Sequence, residues 1–425
     1  MEKSYISGKN PANRTATCRP THSMTNVIRK TVQSSRRNTA LSKFGCNLTS
    51  AITLAAVAVM GFAGAVGCRP AAGVVEQPFG ELSTGEPTVL YTITNTRGAS
   101  MQLLDYGARI VSINMPDRDG KLGDVVVGFS DLYDFEHTDR YIGPVIGRFG
   151  NRIDHASFDL DGVHYEVDAN EKFDGEPVQC HGGHLGFDRF VWEGMPVEES
   201  GRRGVKFHRL SPDGEQGFPG NMDTYVTYWL TDDNTVKIEY EATTDKPTVV
   251  NLSNHTYFNL KGDEGGYVMD HLFQVEADTC VQNNTHFCPD LLLPVDGTPF
   301  DFREPHRVDY RIDMPNEHLR IMHGMSACWV IRDWDGTLRK AADLYDRHSG
   351  RGVETWTTEP ALLTFTGRSF NGTYKGKYGP IEKFGGMLLE TIHFPDSPNQ
   401  PRFPSTVLRP GEKFYSTTEF RFYSR

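Results

Sequence analysis

The chain has 425 residues, enough for one large domain or two ordinary ones, and its 38 % hydrophobic and 23 % charged residues are those of a globular protein. Its formal charge of −11 is unevenly spread: residues 1–70 carry +9, so the remaining 355 carry −20. So acidic a body excludes nucleic acid as a partner, because phosphate binding needs clustered Lys and Arg, and it suits a small neutral substrate.

The first element in chain order is a leader. Ala51 to Val66 reads AITLAAVAVMGFAGAV, sixteen residues without a charge, after a flank carrying Arg29, Lys30, Arg36, Arg37 and Lys43. A basic flank, an apolar stretch shorter than the ~20 residues of a spanning helix, and small residues at its end predict an export signal over 1–68. Ala65-Val66-Gly67-Cys68 resembles a lipoprotein box with Cys68 as the lipidated residue, Arg36-Arg37 is a candidate twin-arginine pair, and Met24 is an alternative start. An uncleaved membrane anchor is the competing reading. The protein is therefore expected to be exported, periplasmic or lipid-anchored, with the membrane engaged only through this segment.

Residues 69–88, rich in Gly, Pro, Glu and Thr, read as a tether, and 89–425 as one domain. Within it, Thr235 to Ala242 alternates Val236, Ile238, Tyr240 and Ala242 with Lys237, Glu239 and Glu241, the period of a half-buried strand. Val89–Thr94, Asp124–Phe129, Tyr225–Leu230, Val249–Leu252 and Leu272–Ala277 are similar. Turns are marked by Asp161-Gly162, Pro212-Asp213-Gly214, Asp296-Gly297 and Asp335-Gly336. With no long amphipathic helix, this predicts an all-β fold, a large antiparallel β-sandwich. Cys180, Cys280, Cys288 and Cys328 match no zinc spacing. Cys280 and Cys288 are a candidate disulfide pair, or all four are free buried thiols.

Four segments gather polar, ligand-type residues. Gly147-Arg148-Phe149-Gly150-Asn151-Arg152-Ile153 suits a grip on hydroxyl oxygens, since guanidinium offers a fixed fork of donors; it also fits an ordinary surface loop. Cys180-His181-Gly182-Gly183-His184 places imidazoles beside glycines that permit close backbone approach, and is equally a turn. Asn251 to Leu260 (NLSNHTYFNL) centres on His255, a ligand or a structural core histidine. Leu388 to Asp396 (LLETIHFPD) sets Glu390 among apolar residues, where a carboxylate is either used or salt-bridged. The chain has no nucleophile elbow, phosphate loop, dinucleotide fingerprint or metal spacing. That leaves acid–base chemistry on a neutral polyol.

In their order and wording these segments resemble the aldose 1-epimerase family. The resemblance runs from about Leu90 to the C-terminus and includes Tyr106-Gly107-Ala108, Pro116-Asp117-Arg118, Asn151-Arg152-Ile153, His181-Gly182-Gly183 with Gly186-Phe187-Asp188, and Asn254 to Leu260. It continues through Thr357-Thr358-Glu359-Pro360, Glu390-Thr391 and Phe394 to Pro401 (FPDSPNQP). It implies a β-sandwich with a sugar cleft on a concave sheet face, and an enzyme that interconverts the α and β anomers of galactose- or glucose-type aldoses. It also implies Glu390 as catalytic base and His255 as proton donor, with His181, Asn151, Arg152 and Tyr257 as sugar contacts, and no metal or cofactor. By ordinary pKa values Glu390 is expected ionised at neutral pH, with His255 holding a proton if a carboxylate sits close.

The chain departs from the family at three places. Ser326 stands where an acidic sugar ligand is usual, Leu363 where a Gln is usual, and Ile392 where a Gln follows Glu-Thr. Ser326 is thus expected in the substrate site, with His323, Asp333 or Asp335 as candidates to compensate. A paralogue acting on a decorated or acidic sugar, and a non-catalytic carbohydrate-binding protein, are the alternatives.

Overall fold

The computed structural model describes residues 71–425; the leader and Cys68 lie outside the described residues. Two large antiparallel sheets make the body. The nine-stranded sheet runs in the order 193–199, 202–211, 222–231, 235–244, 414–424, 351–357, 339–345, 272–275 and 306–307. The six-stranded sheet runs 257–258, 387–392, 361–365, 326–330, 279–283 and 289–294. Tyr228, Ile238, Tyr240 and Phe420 of the first pack with Trp329, Leu362, Met387 and Leu389 of the second in one buried core. This is the predicted sandwich, and the only α-helices among the described residues are Leu132–His137 and Glu317–Met322.

Side-chain alternation decides which residues reach the core. In Thr235–Thr244, Val236, Ile238, Tyr240 and Ala242 are buried and the charged residues between them are not. In Met387–Ile392 the inward set is Met387, Leu389 and Thr391, with Thr391 Oγ1 2.5 Å from Thr418 Oγ1 across the core. The outward set is Leu388, Glu390 and Ile392, and every residue of this strand is buried. Across the outer face Glu390 lies opposite Leu363, Leu363 opposite Cys328, and Cys328 opposite Val281. One row thus carries the carboxylate among hydrocarbon and thiol.

The expected tether is corrected in part. Gly73–Glu81 is a strand, paired antiparallel with Pro87–Thr94 at the edge of a five-stranded sheet. Its Gly and Pro residues are tolerated because an edge strand need satisfy ladder bonds on one side only. Three expected strands are also shorter than their apolar runs, of which Leu272–Ala277 ends at Val275. Beyond Leu122–Asp124, residues 125–129 make only one bridge, Val126 to Phe258, because Asp124 Oδ1 accepts from the Ile113 and Val126 amides at 3.0 and 3.3 Å. Val249–Leu252 belongs to a stretch that changes partner every few residues. Thr248–Val249 pairs with Val407–Leu408, Asn251 bridges Phe149, Ser253–Asn254 pairs with Val145–Ile146, and Tyr257–Phe258 pairs with Met387–Leu388.

The asparagines of this stretch hold those crossings together. Asn251 donates to the Gly150 and His393 carbonyls, both at 3.2 Å, and accepts from the His393 amide at 3.0 Å. Asn254 donates to the Gly143 carbonyl and to Tyr228 Oη, and Asn259 to the Gly266 and Gly385 carbonyls. Cys280 and Cys288 do not pair: all four described cysteines are free and buried. Cys280 points into the inter-sheet core, whereas Cys288 lies beside Asp154 and Arg152.

Asn251 is fully buried, so truncating it strands three backbone groups. Asn251→Ala should lower the unfolding free energy by about 2–4 kcal/mol in urea titrations. A loss below about 0.5 kcal/mol would show that these bonds do not hold the motifs together.

Candidate active site

A cavity of about 370 Å³ opens over the outer face of the six-stranded sheet. Its lining contains all seven residues nominated from sequence: Asn151, Arg152, His181, His255, Tyr257, Ser326 and Glu390. His255 and Glu390, 135 positions apart, therefore face one space.

Each is placed by local chemistry. His255 follows the Ser253–Asn254 pairing, and its amide donates to the Pro144 carbonyl at 3.0 Å. Glu390 is fixed by the ladder on both sides of its strand, and Ser253 Oγ donates to the neighbouring Thr391 carbonyl at 2.8 Å. His181 sits in the left-handed region at φ 52°, with its Nδ1 accepting from the Asn151 amide at 3.2 Å. A neutral His181 so held carries its proton on Nε2. The His181 and His255 rings meet edge to face at 5.0 Å, and Tyr141 packs 4.7 Å from the first and 5.8 Å from the second. Arg152 is gripped by Glu171 through bonds of 2.7 and 3.1 Å and lies over the rings of Phe173 and Phe287.

The structure separates two arginines and two histidines that the sequence placed together. Arg148 is buried away from the cleft, bonding the Pro219 and Gly220 carbonyls at 2.7 and 3.0 Å and Ser211 Oγ at 2.6 Å. It is neither a surface residue nor a ligand grip, but a staple for the loop that carries Asn151 and Arg152. His184 is exposed and bonds Asp168. Gly182, at φ +90°, is needed for a contact within the protein, since a Cβ there would stand 2.0 Å from the Gly147 carbonyl oxygen.

Ser326 and Leu363 both line the cleft, and Leu363 faces Glu390 across the strand pair. Ile392 does not line it; it packs beneath Gly150. Of the candidates to compensate, His323 lines the cleft, whereas Asp335 pairs with Arg339. Sequence reasoning passed over Arg140, Tyr141, Glu171 and Arg368. Each sits in a turn or short strand whose neighbours give no periodic signal, and only the fold gathers them.

Both oxygens of Glu390 and Nδ1 of His255 are buried with no hydrogen-bond partner. Burial accordingly pushes the Glu390 carboxyl up to about 8, against weaker pulls from the nearby Ser253 hydroxyl and Arg152, and burial pushes His255 down to about 4. His181 is held well below the ordinary histidine value by burial and by its neighbours His255 and Arg152. The expected protonation is thus reversed. At neutral pH desolvation favours the proton on Glu390 and a neutral His255, and no carboxylate acts on His255 strongly enough to outweigh its burial.

Among the described residues one ligand-type cluster stands outside the cleft. Asp154, His155 and His286 bring donor atoms within 4.8 Å of one another, but His286 Nδ1 is already bonded to Asp154 at 2.9 Å. The cleft itself offers imidazoles, a carboxyl, hydroxyls and guanidinium groups, the equipment for proton transfer to a polyol.

Residues 89–421 match the model of the family described as aldose 1-epimerase. Galactose mutarotase of Homo sapiens is 37 % identical over 357 residues, covering 83 % of this chain and 99 % of that protein. Aldose 1-epimerase of Escherichia coli K12 is 33 % identical over 341 residues, covering 80 % and 96 %. Among solved structures, galactose 1-epimerase from Lactobacillus acidophilus superposes with a TM-score of 0.73 at 25 % identity, covering 83 % of this chain and 99 % of that one. An aldose epimerase homologue from C. elegans superposes with a TM-score of 0.70 at 26 % identity, with the same coverage.

The raised carboxyl links stability to pH. Between the ordinary value of 4.5 and about 8 the folded protein keeps a proton on Glu390 that the unfolded chain has lost, so stability falls as pH rises through this window, by up to about 5 kcal/mol. Glu390→Gln removes that dependence. In urea titrations it should be more stable than the parent at pH 8.5, with the gap closing by pH 5. An equal gap at both pH values would contradict the assignment.

Proposed function

The chain belongs to the aldose 1-epimerase family and is an isomerase that interconverts the α and β anomers of free aldoses, and we propose that Glu390 and His255 carry the proton transfers. The observation behind this reading is that a carboxyl and an imidazole, both lacking protein partners, face one sugar-sized cleft.

An anomer inverts only by ring opening. The base removes the proton from the C1 hydroxyl as the C1–ring oxygen bond breaks, and the acid protonates the released ring oxygen, leaving an open-chain aldehyde. Rotation about C1–C2 presents the other aldehyde face, and the same transfers in reverse close the ring. Glu390 serves as base and His255 as acid. Together they hold one proton between about pH 4 and 8, and one proton is what the step requires. Sugar hydroxyls donating to the bare oxygens of Glu390 stabilise its ionised form, which shifts the proton toward His255 as the substrate seats. His181 Nε2–H, Asn151, Arg152, Tyr257 and Ser326 are the substrate contacts in this reading.

Polarimetry of freshly dissolved α-aldoses tests it. Glu390→Gln and His255→Asn should each cut the acceleration at least about 10²-fold, and full activity in either variant would refute its role. A binding module would take up sugar without speeding the change in rotation. Because the one-proton form of the free enzyme is the active one, kcat/KM should rise near pH 4 and fall near pH 8. A lower limb near 6.5 would instead mean that His255 titrates as an ordinary histidine.

We also place the protein outside the cytoplasm, on the basic flank and uncharged stretch of residues 29–66. A reporter fused to residues 1–70 should be exported from a bacterial cell, and cytoplasmic retention would contradict this.

A further inference from the structure

The cleft holds more positive charge than proton transfer uses. Two of its three arginines have carboxylate partners: Arg152 is on Glu171 at 2.7 Å and Arg140 on Asp139 at 3.1 Å. Arg368 has none among the described residues. It leaves the end of the Ala361–Phe365 strand at Gly367, lies over the Phe365 ring at 5.4 Å, and buries an Nε that makes no hydrogen bond. Partial burial, and then the like charge of Arg152 facing it, hold its guanidinium below the usual arginine range, against a weaker opposite pull from Tyr257.

The opposite side of the account is what the cleft lacks. Ser326 offers a hydroxyl and Leu363 only hydrocarbon, and of the other carboxyl groups in the lining, Asp139 and Glu171 are paired and Glu390 keeps its proton. A part-desolvated guanidinium beside a second one is stabilised by an anion. A planar fork with no partner matches a planar carboxylate through two parallel bonds, whereas a phosphate dianion would draw on further free cations that the lining does not supply. A cavity of about 370 Å³ accommodates one monosaccharide.

We propose that the aldose handled here carries a carboxylate, as a hexuronate does, and that Arg368 receives that group at the end of the cleft lined by Phe365 and Ser326. This deepens the reading of the cleft as a mutarotase site and rests on it.

Calorimetric binding and polarimetry, run in parallel on galacturonate, galactose and galactose 6-phosphate, test it. The full-length protein should bind galacturonate at least tenfold tighter than galactose. That ratio should fall at least tenfold in Arg368→Gln and only partly in Arg368→Lys, which keeps the charge without the fork. Ser326→Asp, which puts a carboxylate into the cleft, should move the preference toward galactose and is an independent route if the arginine variant fails to fold. Equal affinity for the two sugars with a ratio unmoved by any variant would overturn the proposal, as would tighter binding of the phosphate. Mutarotation of galactose without a galacturonate preference sinks this inference alone. A galacturonate preference with no mutarotation of any sugar upholds it and tells against the catalytic reading.

Discussion

A single carboxyl group is built into the middle of a β-sheet face with nothing in the protein to bond it, and the rest of the site follows from that constraint. Glu390 is buried at the cleft wall, its cross-strand neighbour is a leucine, and neither of its oxygens has a hydrogen-bond partner in the protein. Left there as an ion it would be costly, so it keeps its proton until something polar arrives. The imidazole facing the same cavity is held in the opposite sense, uncharged for the same reason. Desolvation alone thus produces a pair of groups whose affinities for one proton are poised to cross when sugar hydroxyls replace the missing hydrogen bonds.

Holding such a pair requires a frame that does not yield. Glu390 is fixed by ladders on both sides and His255 by a chain that switches partners through asparagine bridges. Asn251 ties the loop of Asn151 and Arg152 to the strand exit after Glu390. Glu359, from the Thr-Glu-Pro segment, bonds His393 just beyond that exit. Several motif residues that look chemical in the sequence therefore act on position, and the groups proposed to transfer protons are few.

Much of the architecture was legible in the residues. The alternation in Thr235–Ala242 and the turn pairs such as Asp161-Gly162 named a β-sandwich, because side-chain period and left-handed turn residues are local properties. The four polar segments named the cleft because they carry polar groups where apolar neighbours should have excluded them. What stayed hidden depends on distant partners. The Asn251 to Leu260 segment shows a polar load around His255, yet its asparagine side chains bond remote backbone. Arg148 and Arg152 look equivalent four residues apart, yet one faces Ser211 and the other the cavity. The strand at Gly73–Glu81 has the composition of a linker and is ordered by its partner Pro87–Thr94. The protonation of Glu390 follows from its surroundings, which no residue-level pKa contains.

The same distinction separates the reaction from the choice of sugar. In the proposed reading, proton transfer falls to groups seated in sheet and crossing backbone, while Ser326, Arg140 and Arg368 border the cavity from a strand end and from turns, and Leu363 lines it from mid-strand. The central claim is that desolvation keeps Glu390 protonated until a sugar is bound. Difference infrared spectroscopy of the parent protein against Glu390→Gln at pH 6 tests it most directly. The account requires a protonated carboxyl signal in the parent that is absent from the variant and weakens when an aldose is added. An ionised carboxylate signal at pH 6 in the sugar-free protein would contradict it.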